Sequence, residues 1–164
     1  MKLSVLFVCL GNICRSPAAE AVFVAEVQKQ NLVSYYTVDS AGIGGWHSGE
    51  LPDARMRAHA AQRGYCLESR ARQVSLADFD TFDLIVGMDD NNISDLRRLA
   101  LTQEQMQKIV RMTDFCTFFP NDHVPDPYYG GADGFELVLD LLQDACKGLL
   151  LQLEKKRLQT SSSD

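Results

Sequence analysis

No apolar run in this chain approaches the ~20 residues needed to cross a bilayer. Its first apolar stretch follows a single lysine, Lys2, and runs into Gly11 and Asn12 instead of a small-residue cleavage site. Those two shortages predict a protein with neither a membrane span nor an export signal. Histidine is scarce as well: His47, His59 and His123 are the full set, and none is spaced with a cysteine as zinc ligands are. No metal centre is expected. Basic residues are outnumbered, 16 Lys and Arg against 22 Asp and Glu, and the net charge of -6 argues against nucleic acid as a partner. The five cysteines, Cys9, Cys14, Cys66, Cys116 and Cys146, are odd in number and scattered, unlike the dense even frameworks of small secreted domains. They point to a reducing cytoplasm.

What the chain does have is apolar content, 46% over 164 residues, enough for one core that buries roughly two thirds of the surface its unfolded chain exposes. A single domain over residues 1–157 follows, with 158–164, ending in "QTSSSD", read as a frayed polar tail. Apolar, β-favouring runs predict strands from Leu3 to Cys9, Tyr35 to Asp39, Phe82 to Met88 and Ile109 to Met112. Helix signals fall between them: one after Ser16, one opened by Pro52 and Asp53 and closed by Gly64, and one over "DDNNISDLRRLA". A last helix starts near Ala132, with Phe135, Val138, Leu139, Leu142, Cys146, Leu149 and Leu153 recurring at steps of three and four. Alternating strands and helices imply an α/β fold on a parallel sheet with right-handed crossovers.

The first strand ends unusually. In "LFVCLGNICRSPAAEAVF" the apolar run stops on Cys9, passes Gly11 and Asn12, and reaches Arg15 before a helix whose N-cap is read as Ser16 and whose first position is Pro17. Strand, short loop and helix N-terminus make an anion-binding geometry. Five residues separate Cys9 from Arg15, followed by Ser16. If that loop curls, its amides converge on one tetrahedral oxyanion while Arg15 adds a bidentate contact, and Gly11 and Asn12 suit the left-handed backbone required. The same positive potential favours a thiolate at Cys9, placed beneath the bound phosphorus. Alone, C-x5-R also fits a buried cysteine followed by a surface arginine. A second stretch, "VPDPYYGG", holds Asp126 between two prolines and before two tyrosines; a carboxylic acid on such a loop can protonate the leaving oxygen of a phosphate ester, although the loop alone also reads as a simple turn.

Together with "DSAGIGGWHSGELPDAR", "ARQV" and "FDLIVGMD", in that order, these segments resemble the low-molecular-weight protein tyrosine phosphatase family from about Lys2 to Leu153. The resemblance implies a single domain with a four-stranded parallel sheet flanked by helices on both faces and a phosphate-binding loop after the first strand. It also implies cofactor-free, metal-independent hydrolysis of phosphotyrosine through a phosphocysteine. By position, Cys9 becomes the nucleophile, Arg15 the phosphate clamp and Asp126 the general acid. Asn12, Ser16 and Ser40 match the loop's polar network, with Ser16 stabilising the thiolate, and Asp89 matches a supporting acid near the site. Gly11 and Cys14 belong to the loop that meets the substrate, and Leu10, Ile13, Trp46, Tyr128 and Tyr129 resemble the crevice lining, an aromatic wall suited to a phenyl ring.

The expected partners are phosphotyrosyl proteins, with a cognate tyrosine kinase behind them. Some relatives carry a histidine just before "ARQV", where this chain has Ser69 and Arg70, which leaves the anchor of Asn12 open. Relatives that act on phosphoarginine have threonine where this chain has Ile13, which favours tyrosine here. Two rival readings are an arsenate reductase of the same fold, which relays electrons through closely spaced cysteines that this chain lacks, and a non-catalytic phosphate or phosphotyrosine binding module. Cys14, five residues from Cys9, either pairs with it on oxidation, as the resemblance also implies, or packs beneath the loop.

Overall fold

The computed structural model describes residues 2–162. In chain order it contains β1 (Leu3–Cys9), α1 (Arg15–Lys29), β2 (Tyr36–Gly42), α2 (Ala54–Gln62), α3 (Asp78–Thr81), β3 (Leu84–Gly87), α4 (Asp90–Leu99), α5 (Gln103–Gln107), β4 (Ile109–Arg111) and α6 (Ala132–Ser162). The four strands form one parallel sheet in the order β2-β1-β3-β4. A central β1 explains its nearly unbroken apolar sequence, since a parallel strand with a neighbour on each side and helices above and below has no face left for water.

The pleat sorts β1 between two cores. Leu3, Val5, Phe7 and Cys9 join the layer built with Val22 and Phe23 of α1, Met56 of α2, and Leu139 and Leu142 of α6. Leu6 and Val8 point the other way, toward Phe79 of α3 and Ile93 and Leu96 of α4. Each fully buried apolar side chain of this size contributes about 1.5–3 kcal/mol relative to exposure. The anticipated parallel α/β domain with helices on both faces is therefore the one observed.

Several element boundaries differ from expectation. β2 begins at Tyr36 and runs on to Gly42, because its register against β1 extends through Cys9 opposite Gly42. β3 is shorter than its apolar run, and β4 stops at Arg111, where Met112 opens a 3-10 turn. Helices α3 and α5 are too short, at four and five residues, for periodicity to announce them. α2 is capped by Asp53, whose side chain accepts from the Arg55 and Met56 amides, and Gly64 follows it at φ +89, as read from the sequence. Residues 158–162 of the expected polar tail continue α6, with 158–161 exposed; Ser163 and Asp164 lie outside the described residues.

Candidate active site

The carboxyl ends of β1 and β3 meet where the chain crosses from one side of the sheet to the other, the place where open parallel sheets bind ligands. Cys9 is the last residue of β1, and α1 begins at Arg15. The helix thus starts two residues before Pro17, and Ser16 is not its N-cap; that position falls on Cys14, which makes no side-chain cap. The reason lies in what Ser16 bonds instead. Its Oγ accepts from Asn12 Nδ2 at 2.8 Å and lies 3.0 Å from Cys9 Sγ and 3.3 Å from the Ala41 carbonyl.

The curl of the loop rests on Asn12 at φ +59; Gly11 is not left-handed, contrary to expectation. At position 11 a Cβ would stand 3.1 Å from the His47 ring, which would have to give by a few tenths of an ångström. Gly42 is needed, because a Cβ on it would meet the Gly11 carbonyl carbon at 2.9 Å and the Asn12 nitrogen at 3.0 Å. The loop folds directly onto the end of β2.

Asn12 is anchored without a histidine. Its Oδ1 accepts from the Arg72 amide at 3.0 Å, and its Nδ2 donates to Ser40 Oγ at 3.0 Å as well as to Ser16. Ser40 in turn donates to Glu20 Oε1 at 2.6 Å, and Ser69, standing near where some relatives carry histidine, also bonds Glu20. Burial raises the Glu20 carboxyl above its ordinary range, against the lowering effect of those two hydroxyls.

Arg15 is 2% exposed and its charge is held by several anions. Nη1 bonds Asp89 Oδ2 at 2.6 Å and the Val124 carbonyl at 3.0 Å, and Nη2 lies 3.6 Å from Asp126 Oδ2. Burial opposes the guanidinium charge, but Cys9, Asp89 and Asp126 outweigh it and the pKa rises. Asp89 also caps α4 by accepting from the Asn92 amide at 2.8 Å. Asp126 is more open, at 38% exposure, and accepts from the Tyr128 amide at 3.1 Å.

These residues surround one cavity of about 300 Å³, lined by Cys9, Leu10, Gly11, Ile13, Cys14, Arg15, Trp46, His47, Asp126, Tyr128 and Tyr129. Asn12, Ser16, Ser40 and Asp89, also singled out from the sequence, stand behind the lining. The tyrosine rings meet edge to face at 5.0 Å, and Trp46 and Tyr129 are 71% and 94% exposed, so the crevice is walled by aromatics that have no core to fill. Cys14 is buried, and burial together with Asp53 and Cys9 pushes its thiol up. Sequence reasoning missed His47, which pairs with Glu50 and faces the cavity; the "WHSGE" spacing, three residues from His47 to Glu50, was the available signal. It also missed the roles of Glu20 and Arg72, which lie within "LFVCLGNICRSPAAEAVF" and "ARQV" but support the loop through partners distant in the chain. Among the described residues no cluster of side chains could hold a metal ion, and no helix is long and apolar enough to cross a membrane.

A strand-end cysteine beneath a curled amide loop, with a buried arginine beside it and a carboxylic acid overhead, defines the class of cysteine-dependent phosphatases. A family model described as low molecular weight phosphotyrosine protein phosphatase matches residues 4–159. The chain is 45% identical over 158 residues to a low molecular weight protein-tyrosine-phosphatase of Streptomyces coelicolor, covering 95% of this chain and 96% of that one. A crystal structure of a protein tyrosine phosphatase from Entamoeba histolytica with Hepes in its active site superposes at a TM-score of 0.93, with 46% identity, over 95% of this chain and 99% of that one. A Drosophila arginine phosphatase superposes at 0.85 with 35% identity, over 93% and 98%. The chain belongs to the low molecular weight phosphotyrosine protein phosphatase family, a family of cysteine-dependent hydrolases.

Proposed function

We propose that the chain hydrolyses phosphotyrosyl side chains of proteins, with Cys9 as nucleophile, Arg15 and the loop amides as phosphate clamp and Asp126 as general acid. The carrying observation is that these three side chains, brought from two ends of the chain, line one aromatic-walled cavity. Sulfur attacks phosphorus in line, the equatorial oxygens shift onto Arg15 and the loop amides, and the Asp126 proton goes to the departing phenolate. The phosphocysteine is then hydrolysed: water attacks phosphorus, Asp126 takes its proton, and inorganic phosphate leaves with the Cys9 thiolate restored. Asn12, Ser16 and Ser40 hold the loop's shape. Leu10, Ile13, Trp46, Tyr128 and Tyr129 grip the aromatic stem, and the apolar Ile13 favours a phenyl ring over a guanidino group. The five free cysteines fit a reducing compartment, the cytoplasm, where a tyrosine kinase supplies the substrate.

The test is hydrolysis of matched peptides bearing phosphotyrosine, phosphoserine or phosphoarginine. Preference for phosphotyrosine supports the reading; preference for phosphoarginine overturns the substrate. Arsenate reduction with thiol donors would instead favour the reductase, although Cys66, Cys116 and Cys146 all lie outside the cavity lining. Asp126→Asn is expected to lower kcat/KM for an aryl phosphate with a poor leaving group by about 10²–10⁴-fold, and for an activated ester far less, since only the basic leaving oxygen needs the proton.

A further expectation concerns oxidation. Peroxide converts the Cys9 thiolate to a sulfenic acid, the Cys14 thiol displaces water from it to form a disulfide, and a thiol reductant reverses the step. Because burial holds Cys14 in its thiol form, peroxide is directed to Cys9 first. Wild-type activity should therefore return after reduction, whereas Cys14→Ser should recover poorly. Equal recovery without a Cys9 to Cys14 linkage by mass spectrometry rejects the protection.

A further inference from the structure

Asp126 is the most exposed of the three catalytic candidates, and its side chain is held by few contacts. The preceding strand-like link is fixed, since the Val124 amide donates to the Met88 carbonyl at 2.8 Å. After Val124 the loop relies on its own turn, with the Gly130 amide on the Pro127 carbonyl at 3.0 Å, on Arg15, whose Nη2 lies 3.6 Å from Asp126 Oδ2, and on Arg55 of α2. Arg55 Nη2 donates to the Tyr128 carbonyl at 3.0 Å, and its guanidinium lies over the rings of Tyr128 and Phe135, 5.4 and 4.9 Å from their centroids. Tyr128 is the residue whose amide orients Asp126.

The other side of Arg55 leads to the phosphate loop. Its Nε and Nη2 fork onto the two oxygens of Asp53 at 3.1 and 3.0 Å, and the Asp53 amide donates to the carbonyl of Ile13 at 2.8 Å. The same carboxylate caps α2, and the Arg55 fork holds it below the usual range. A cation in the first turn of a helix opposes the helix dipole, so what Arg55 gives α2 is confined to its fork on the Asp53 cap. Its contacts are directed elsewhere, along an unbroken path from Ile13 through Asp53, Arg55 and Tyr128 to Asp126.

We propose that Arg55 is a positioning residue for proton transfer: with Asp53 it latches the loop that carries Asp126 to the phosphate loop, so that the carboxyl stands over the leaving oxygen. This rests on the reading of Asp126 as general acid. Arg55 itself touches no reacting atom, and displacing a proton donor by about 1 Å is enough to cost on the order of 10²-fold.

The test compares Arg55→Ala, Arg55→Lys and Asp126→Asn on two esters, phenyl phosphate and 2,4-dinitrophenyl phosphate, through kcat/KM, which reports the step in which the aryl group leaves. Two further readouts ignore the acid: the inhibition constant of inorganic phosphate and the rate of Cys9 alkylation by iodoacetate. Arg55→Ala should lower kcat/KM for phenyl phosphate between about tenfold and about a hundredfold, leave the activated ester within about twofold, and leave the two acid-independent readouts unchanged. Arg55→Lys should recover part of the loss, because an ammonium reaches the Tyr128 carbonyl but cannot also fork onto Asp53 and cover both rings. If Asp126→Asn discriminates between the esters and neither Arg55 variant does, the latch is wrong and the acid assignment stands. Loss of discrimination in Asp126→Asn itself overturns both. A weakened phosphate affinity in Arg55→Lys would show a general distortion of the site and overturn the latch.

Discussion

Cys9→Ser is expected to abolish turnover, by at least about 10⁴-fold, while phosphate or vanadate still binds. The hydroxyl that replaces the thiol is too weakly acidic to ionise in place, and no general base stands beside it: its near neighbour is the Ser16 hydroxyl, 3.0 Å from the sulfur in the native site. The cradle for the anion does not depend on sulfur. The loop is held by Asn12, whose bonds run to Ser16, Ser40 and the Arg72 amide, and the clamp is held by Asp89 and the Val124 carbonyl. Removing one negative charge from beneath the oxyanion favours binding further. Isothermal titration with vanadate alongside steady-state kinetics checks both halves, and turnover near that of the wild type would remove Cys9 from its role.

Arg15→Lys should be nearly as severe, with kcat/KM lower by about 10²–10³-fold or more, although the charge is kept. A guanidinium divides its donors. Nη1 is occupied by Asp89 and the Val124 carbonyl, which turns the remaining N–H groups of the planar fork toward the cavity. An ammonium at the end of a shorter, strongly hydrated stem cannot satisfy the protein side and present a bidentate face to phosphate at once. It will either settle on Asp89 and leave the phosphate unclamped, or reach the phosphate and leave the buried Val124 carbonyl without its donor. The second outcome costs about 1–3 kcal/mol of stability. Thermal unfolding measured beside kcat/KM separates the two, and near-normal kinetics would sink the clamp assignment.

The two residues differ in how far the sequence alone could carry them. Cys9, Arg15 and the curl between them lie within one strand-loop-helix segment, so their chemistry is a local property: an apolar strand ends on a thiol, and a helix begins where an anion belongs. The fold class was legible for the same reason, because apolar runs alternating with amphipathic stretches state the period of each element directly. Local rules failed where a side chain had a better partner elsewhere. Ser16 reads as an N-cap, but in the fold its hydroxyl goes to Asn12 and lies beside Cys9, and the helix starts at Arg15. The polar composition of residues 158–162 reads as a tail, and these residues extend a helix whose preceding turns are anchored in the core.

By itself, then, the sequence determined the parallel α/β class, the strand-end loop with its cysteine and arginine, and the aspartate between two prolines, since each is written in neighbouring residues. Only the tertiary structure decided what holds them. Asp89 and the Val124 carbonyl stand 74 and 109 residues from Arg15 in the chain, Ser40 stands 28 from Asn12, and Arg55 stands 73 from Tyr128. No local propensity encodes such pairs. They exist because the β2-β1-β3-β4 order brings the carboxyl ends of β1 and β3 together, and burial leaves Arg15, Asn12 and Ser40 no water to bond in place of these partners, whereas Arg55 reaches Tyr128 from the surface.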